Sequence, residues 1–307
     1  MHLNFSPSTL ALLAVVMLGS TAQAADTLQS GVLIAREQQR VLLMTPDSAV
    51  EQVSIATGKT EWTSRDGAMP IALEGEQVLV MRDGAERGKL GYALLKASDG
   101  SLVARASVDL PAPARGLVEE RMGEQFKLIA ASDGLRWSHT RQPVQGAQLQ
   151  VDGFKGGEKS AQASEQHGVL AIDWNQGKLA TIAESSVKSS TNTAVEIGQP
   201  NANGPRTFRS VSDAYRLQSE RLEDGRYRWQ LSDAKGSRIG ETISEYSYRP
   251  FDVVDGRLLY VTAPKISVTG GKSTIDMPTL VAVDLGSGKV AWTREVRDTK
   301  YRGPYPS

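Results

Sequence analysis

From residue 25 onward the chain alternates between short apolar, β-branched runs and polar turns rich in Gly, Asp and Asn. Gln77-Val78-Leu79-Val80-Met81 and Arg257-Leu258-Leu259-Tyr260-Val261 are representative runs. Runs of this length bounded by turn residues predict β-strands rather than helices. Seven Asp-Gly dipeptides, beginning at Asp66, Asp83, Asp99, Asp133, Asp152, Asp224 and Asp255, punctuate them. Both residues tolerate positive φ, so each dipeptide predicts a tight hairpin of the type I′ kind. Helical periodicity is nearly absent, and its one candidate, Gln162 to Gln166, is shorter than a self-supporting helix.

One phrase recurs. Asp284-Leu285-Gly286-Ser287-Gly288-Lys289-Val290-Ala291-Trp292 repeats the layout of Ser54-Ile55-Ala56-Thr57-Gly58-Lys59-Thr60-Glu61-Trp62, with Trp four residues past Gly in both. Aligning related turns on Gly58, Gly100, Gly134, Gly177, Gly236 and Gly288 gives six units, 34 to 59 residues apart. A repeat of about 40 residues built from four strands is the blade of a β-propeller. The expected fold is therefore all-β, a propeller of four-stranded antiparallel blades, with seven blades expected within a range of six to eight. The run Gly31 to Ala35 is expected to close the ring by pairing with the last blade. Residues 184–210, rich in Ser, Thr, Asn, Gly and Pro, read as a long loop or a degenerate blade.

Composition narrows the compartment. The apolar run Leu10 to Leu18, followed by Ala22-Gln23-Ala24, has the form of a secretory leader with a small-x-small cleavage site. Residues 1–24 are expected to be removed, leaving one domain over 25–307, located in the periplasm. The run is too short to span a bilayer, so no membrane span is expected. There is no Cys, which rules out disulfides, thiolate metal sites and a lipidated N-terminal Cys. Lys+Arg and Asp+Glu both number 35 and are interspersed, so the chain lacks the basic footprint of a nucleic-acid binder.

The last unit, Ala282-x-Asp284-x-x-Ser287-Gly288-Lys289-x-x-Trp292, resembles the Ala-x-Asp-x-x-Thr-Gly-x-x-x-Trp blade motif of the quinoprotein-like (PQQ-like) β-propellers. The first unit keeps Thr57, Gly58 and Trp62, and the fourth keeps Ala171, Asp173 and Gly177. The resemblance implies a structural motif, in which Trp packs between blades and Gly permits the turn. In kind, the chain is also similar to the propeller subunit of the bacterial outer-membrane barrel assembly machinery, although it lacks that subunit's lipidation Cys.

The chemical motifs sought do not assemble. Gly58-Lys59-Thr60, Gly271-Lys272-Ser273 and Gly288-Lys289 carry Val53, Ile266 and Val283 where a phosphate-binding loop needs Gly, so each reads as a hairpin turn. Asp173-x-Asn175-x-Gly177 with Glu184 imitates a calcium loop, but Lys178 stands where such a loop needs Gly. Ser232-x-x-Lys235 has the spacing of an acyltransferase Ser-Lys pair, yet it lies where a strand runs into a turn. His2, His139 and His167 form no zinc-binding pair.

No catalytic, cofactor-binding or metal-binding residue is assigned, and no cofactor is expected. Tyr- and Arg-bearing segments stand out instead, at Tyr227-Arg228-Trp229, Glu245-Tyr246-Ser247-Tyr248-Arg249-Pro250 and Tyr301 to Pro306. Such residues suit both blade interfaces and binding hot spots. The expected function is a non-catalytic, exported platform for a protein partner in the bacterial cell envelope. The alternative is a PQQ- and calcium-dependent dehydrogenase of alcohols or sugars.

Overall fold

The computed structural model describes residues 26–29, 31–36, 38–82, 89–109, 124–131, 134–141, 164–182, 196–197, 204–263, 265–269 and 272–297. The expected leader at 1–24 and the aromatic tail at 301–306 lie outside them. The described residues contain strands and turns and no helix. Residues 164–166 of the helix candidate belong to a strand.

Strands follow one another in antiparallel meanders. The first sheet holds β1 (Asp26–Gln29), β2 (Val32–Ala35), β3 (Arg40–Met44), β4 (Val50–Ser54) and β5 (Thr60–Ser64). The second holds β6 (Met69–Glu74), β7 (Gln77–Arg82), β8 (Lys89–Lys96) and β9 (Leu102–Asp109). The third holds β10 (Glu124–Ala131), β11 (Gly134–Arg141), β12 (Ser164–Asp173) and β13 (Lys178–Ile182). The fourth holds β14 (Glu196–Ile197), β15 (Arg206–Arg209), β16 (Tyr215–Arg221), β17 (Tyr227–Asp233) and β18 (Arg238–Ser244). In the fifth, β19 (Phe251–Val254) and β20 (Arg257–Val261) precede a two-stranded insertion, β21 (Lys265–Thr269) with β22 (Lys272–Asp276). The sheet resumes with β23 (Thr279–Asp284) and β24 (Lys289–Glu295).

Five sheets of four or more strands are thus present among the described residues, where the turn glycines had suggested six units. The difference has a local cause. Gly134 ends the β10–β11 hairpin and Gly177 the β12–β13 hairpin of the same sheet, so one sheet contributed two similar turns. The tract 184–210 contributes β14 and β15 to the fourth sheet. The run Val32–Ala35 is hydrogen-bonded between β1 and β3, not to the fifth sheet, which corrects the expected mode of closure.

Sheet against sheet packing explains why the strand runs are continuously apolar. Val32 and Ile34 face Leu259 and Val261 of the fifth sheet, while Leu33 and Ala35 face Val78 and Val80 of the second. Leu79 in turn faces Leu170 of the third sheet, and Leu258 and Tyr260 face Phe208 and Trp229 of the fourth. Successive side chains point to opposite faces, so a strand between two neighbouring sheets must be apolar at both phases. The last strands are apolar on one face only: Val290 of β24 is 58 % exposed and Val103 of β9 is 47 % exposed, while Trp292 of β24 and Trp62 of β5 are buried.

Four of the sheet-closing turns share one build. Gly58, Gly100 and Gly288 have φ of 67°, 71° and 69° and donate their N–H to the carbonyl four residues back, while Gly236 (φ 87°) bonds three residues back, to Asp233. A bulge follows each, with Glu61, Val103, Ala291 and Ile239 as the extra residue of the outgoing strand. These are bulged hairpin turns with a left-handed Gly, not two-residue type I′ turns. Asp255-Gly256 is of the type I′ kind, with φ of 48° and 68°.

Candidate functional site

Connections alternate between two ends of the sheets, a turn end and a loop end. In a four-stranded meander, the first-to-second and third-to-fourth connections share one end, and the second-to-third and sheet-to-sheet connections share the other. The first end carries connections such as 55–59, 75–76, 97–101, 174–177, 255–256 and 285–288. Among the described residues, the second, or loop, end carries 45–49, 65–68, 222–226 and 245–250 and the β21–β22 insertion. Connecting loops on a rigid scaffold are where binding residues concentrate.

The turn end is where neighbouring sheets interlock. Trp62 of β5 donates from Nε1 to the carbonyl of Ala97 at 3.0 Å, and its ring lies against Gly100. Trp292 of β24 repeats this on the first sheet, donating to Ile55 at 2.8 Å with its ring against Gly58. A Cβ on Gly58 would come within 2.6 Å of the Trp292 ring. Between the fourth and fifth sheets the Trp position is Gly240, whose missing side chain lets the Leu285 carbonyl approach, and Thr242 Oγ1 donates to Gly288 O at 3.1 Å. Tyr92 joins the second and third sheets, accepting from Leu179 N at 3.1 Å. These contacts fix the framework.

At the loop end, the segment between β18 and β19 folds into an aromatic cleft of about 360 Å³, lined by Tyr227, Glu245, Tyr246, Ser247, Tyr248, Arg249 and Pro250. Two of the three Tyr- and Arg-bearing segments singled out in the sequence therefore meet in space. Buried Trp229 holds the loop by donating Nε1 to Tyr246 O at 2.7 Å, and Ser244 Oγ accepts from Tyr246 N at 3.1 Å. Tyr248 stacks on Phe208 with centroids 4.5 Å apart and planes at 16°. Arg249 lies over the Tyr246 ring, 4.1 Å from its centroid. Both pairs pre-order their side chains, which lowers the entropy lost on binding.

Charge in the cleft is unevenly satisfied. Asp224 accepts from Arg226 N at 3.0 Å and Nε at 2.8 Å, and these bonds hold its carboxyl below the usual carboxylate range. The same pairing raises Arg226, with a smaller push from Glu245. Among the described residues no carboxylate lies within ion-pair reach of Arg249, and its buried Nε has no acceptor. Burial raises the Tyr260 phenol beneath the cleft.

A second polar cluster lies where the first, fourth and fifth sheets meet. Asp252, fully buried in β19, accepts from Arg36 Nε at 2.7 Å, from Arg36 Nη2, from Ser212 Oγ at 2.8 Å and from its neighbour Val253 N at 2.9 Å. Arg36 also donates to Val253 O and lies over the Tyr215 ring. Both Asp252 oxygens are engaged, by groups from the first, fourth and fifth sheets, so the cluster ties these sheets together.

The motifs set aside in the sequence sit where turn chemistry puts them. Asp173 Oδ1 accepts from Asn175 N and Gln176 N at 3.0 and 3.1 Å, which is an Asx turn and not a cation loop. Glu184 lies outside the described residues. Gly58-Lys59 and Gly288-Lys289 are hairpin turns. Ser232 is in β17, and Lys235 N donates to Asp233 Oδ1 in the turn that follows. His139 and His167 lie on adjacent strands, but Cα pairing sets His139 opposite Gln166 and His167 opposite Ser138. No cluster of three or more metal-binding side chains occurs among the described residues.

No protein-family model matches the chain, and no curated protein matches it. Solved structures similar to it include an uncharacterized protein from Listeria monocytogenes, 8% identical, covering 92% of this chain and 95% of that one at a TM-score of 0.27. A europium-containing methanol dehydrogenase is 12% identical, covering 90% of this chain and 70% of its own, at 0.27. The propeller of Dos1 is 9% identical, covering 89% and 74%, at 0.27.

Proposed function

We propose that the chain is a closed β-propeller, exported through a cleaved leader at residues 1–24, that serves in the cell envelope as a non-catalytic platform for a protein partner. Its ring closes by face packing between the last and first sheets, with Trp292 seated on Gly58, rather than by a shared strand. The observation that carries the platform reading is the division between its two ends. One end is built from short interlocked turns, and the other carries the β21–β22 insertion and a pre-ordered cleft of Tyr and Arg side chains. Such aromatic and Arg side chains concentrate binding energy when they are held in place by packing beneath them.

The rival enzyme reading predicts a different behaviour. Calorimetric titration of the mature chain, residues 25–307, with pyrroloquinoline quinone in the presence and absence of calcium separates the two. A platform shows no heat of binding in either condition. Calcium-dependent, one-to-one binding would replace the platform with a dehydrogenase.

A further inference from the structure

Building on the platform reading, we infer that the cleft beside Arg249 takes a carboxylate side chain carried on an extended, aromatic-bearing segment of the partner polypeptide. Four observations converge on that chemistry. Arg249 lies over Tyr246, 4.1 Å from the ring centroid, which restricts where its guanidinium can sit. Its Nε is sealed from solvent without an acceptor, and among the described residues no acid reaches it, so the terminal nitrogens are the cationic donors that the cleft offers. A planar guanidinium matches a carboxylate in two parallel hydrogen bonds. Tyr227 and Tyr248 complete the walls, and Tyr248 is braced from behind by Phe208, which suits a flat apolar side chain next to the acid.

Glu245 restricts the choice further. It lines the same cleft, and its field acts on Arg226 and Tyr260. A ligand with more than one negative charge would meet this carboxylate, whereas a single carboxylate against Arg249 does not need to. The Glu245 end favours a neutral or basic neighbour in the bound segment. Specificity therefore rests on one acid flanked by aromatic residues, not on general acidity.

The test uses the full mature chain and three capped heptapeptides. One carries a single central Glu flanked by Tyr in an otherwise neutral sequence, the second has Gln in place of that Glu, and the third has Lys. By titration calorimetry at low salt, the Glu peptide should bind at least about tenfold more tightly than the Gln peptide, and the Lys peptide least, as a charge-assisted contact requires. Arg249→Gln should lower Glu-peptide affinity about tenfold and leave Gln-peptide affinity unchanged. Circular dichroism would verify that the variant folds, and Tyr248→Ala should weaken both peptides. Equal binding of the Glu and Gln peptides, or Glu-peptide binding indifferent to Arg249→Gln, overturns the inference. So does binding of a glucuronate oligosaccharide without binding of any peptide. A partner crosslinked at the loop end while the Glu peptide fails to bind would overturn the carboxylate assignment alone. Absence of both would overturn the platform reading with it.

Discussion

The indole Nε1 of Trp292 donates a 2.8 Å hydrogen bond to the carbonyl of Ile55, 237 positions earlier in the chain. Trp62 makes the same bond to Ala97, and in both cases the acceptor stands three residues before a left-handed Gly. One device, reused, joins the second sheet to the first and the first to the fifth. Trp292→Ala removes a large buried side chain and should destabilise the protein by about 3–5 kcal/mol. Trp292→Phe keeps most of the apolar area and loses the bond, so its cost should be smaller, and leaving the Ile55 carbonyl without that donor should account for about 1–3 kcal/mol. Urea unfolding followed by circular dichroism measures both. A stable, fully cooperative Trp292→Ala variant would mean that the first and last sheets do not depend on this contact.

Gly58 and Gly236 share a left-handed backbone but not an environment. A Cβ at Gly58 would meet the Trp292 ring at 2.6 Å, while nothing lies within 4 Å of one at Gly236. Gly236→Ala should therefore cost about 1–2 kcal/mol, the price of the backbone conformation alone. Gly58→Ala should cost clearly more, because the Trp292 ring must move as well. Thermal or urea midpoints of the two variants settle the order, and equal losses would show that Trp292 yields freely.

Acid should loosen the turn of the fifth sheet. Asp284 Oδ1 accepts from Ser287 Oγ at 2.8 Å and Ser287 N at 2.7 Å, and Arg257 lies beside the carboxylate. These contacts, the Ser287 bonds foremost, hold its carboxyl below the usual carboxylate value. A group that binds its proton more weakly when folded makes the unfolded state the better proton acceptor. Its contribution is complete above the unfolded pKa and fades as pH falls through the folded one. Stability should therefore drop below about pH 4. Asp284→Asn should flatten that part of the profile, a change readable in melting temperatures between pH 2 and 6. An unchanged slope would remove Asp284 from the acid response.

The repeat and its antiparallel hairpins were legible because turn glycines and the paired Trp residues are local signals. Trp62 and Trp292 mark an inter-sheet contact in the sequence itself, and each ring sits on the turn Gly of a neighbouring sheet, Gly100 and Gly58. The number of sheets was harder to read. Gly134 and Gly177 carry similar turn chemistry, yet only strand pairing shows that they serve one sheet. At the junction of the fourth and fifth sheets, Gly240 replaces Trp, so the interlock survives with no aromatic to mark it. The cleft was half legible. Tyr227, Tyr246, Tyr248 and Arg249 stood out by type, whereas the stacking of Phe208 on Tyr248 joins residues from separate strands and connections that no spacing rule relates. The link between Arg36 and Asp252, 216 positions apart, left no sequence signal at all.

The most direct test of the platform reading compares the two ends of the molecule. A photoreactive amino acid is placed in cells at Tyr248 or Ser247 on the loop end, or at Thr57 or Ser287 on the turn end. The account predicts a discrete crosslinked protein from the loop-end positions, lost when Arg249→Gln is added, and none from the turn-end positions. Crosslinks of equal strength from both ends, or from the turn end alone, would contradict it.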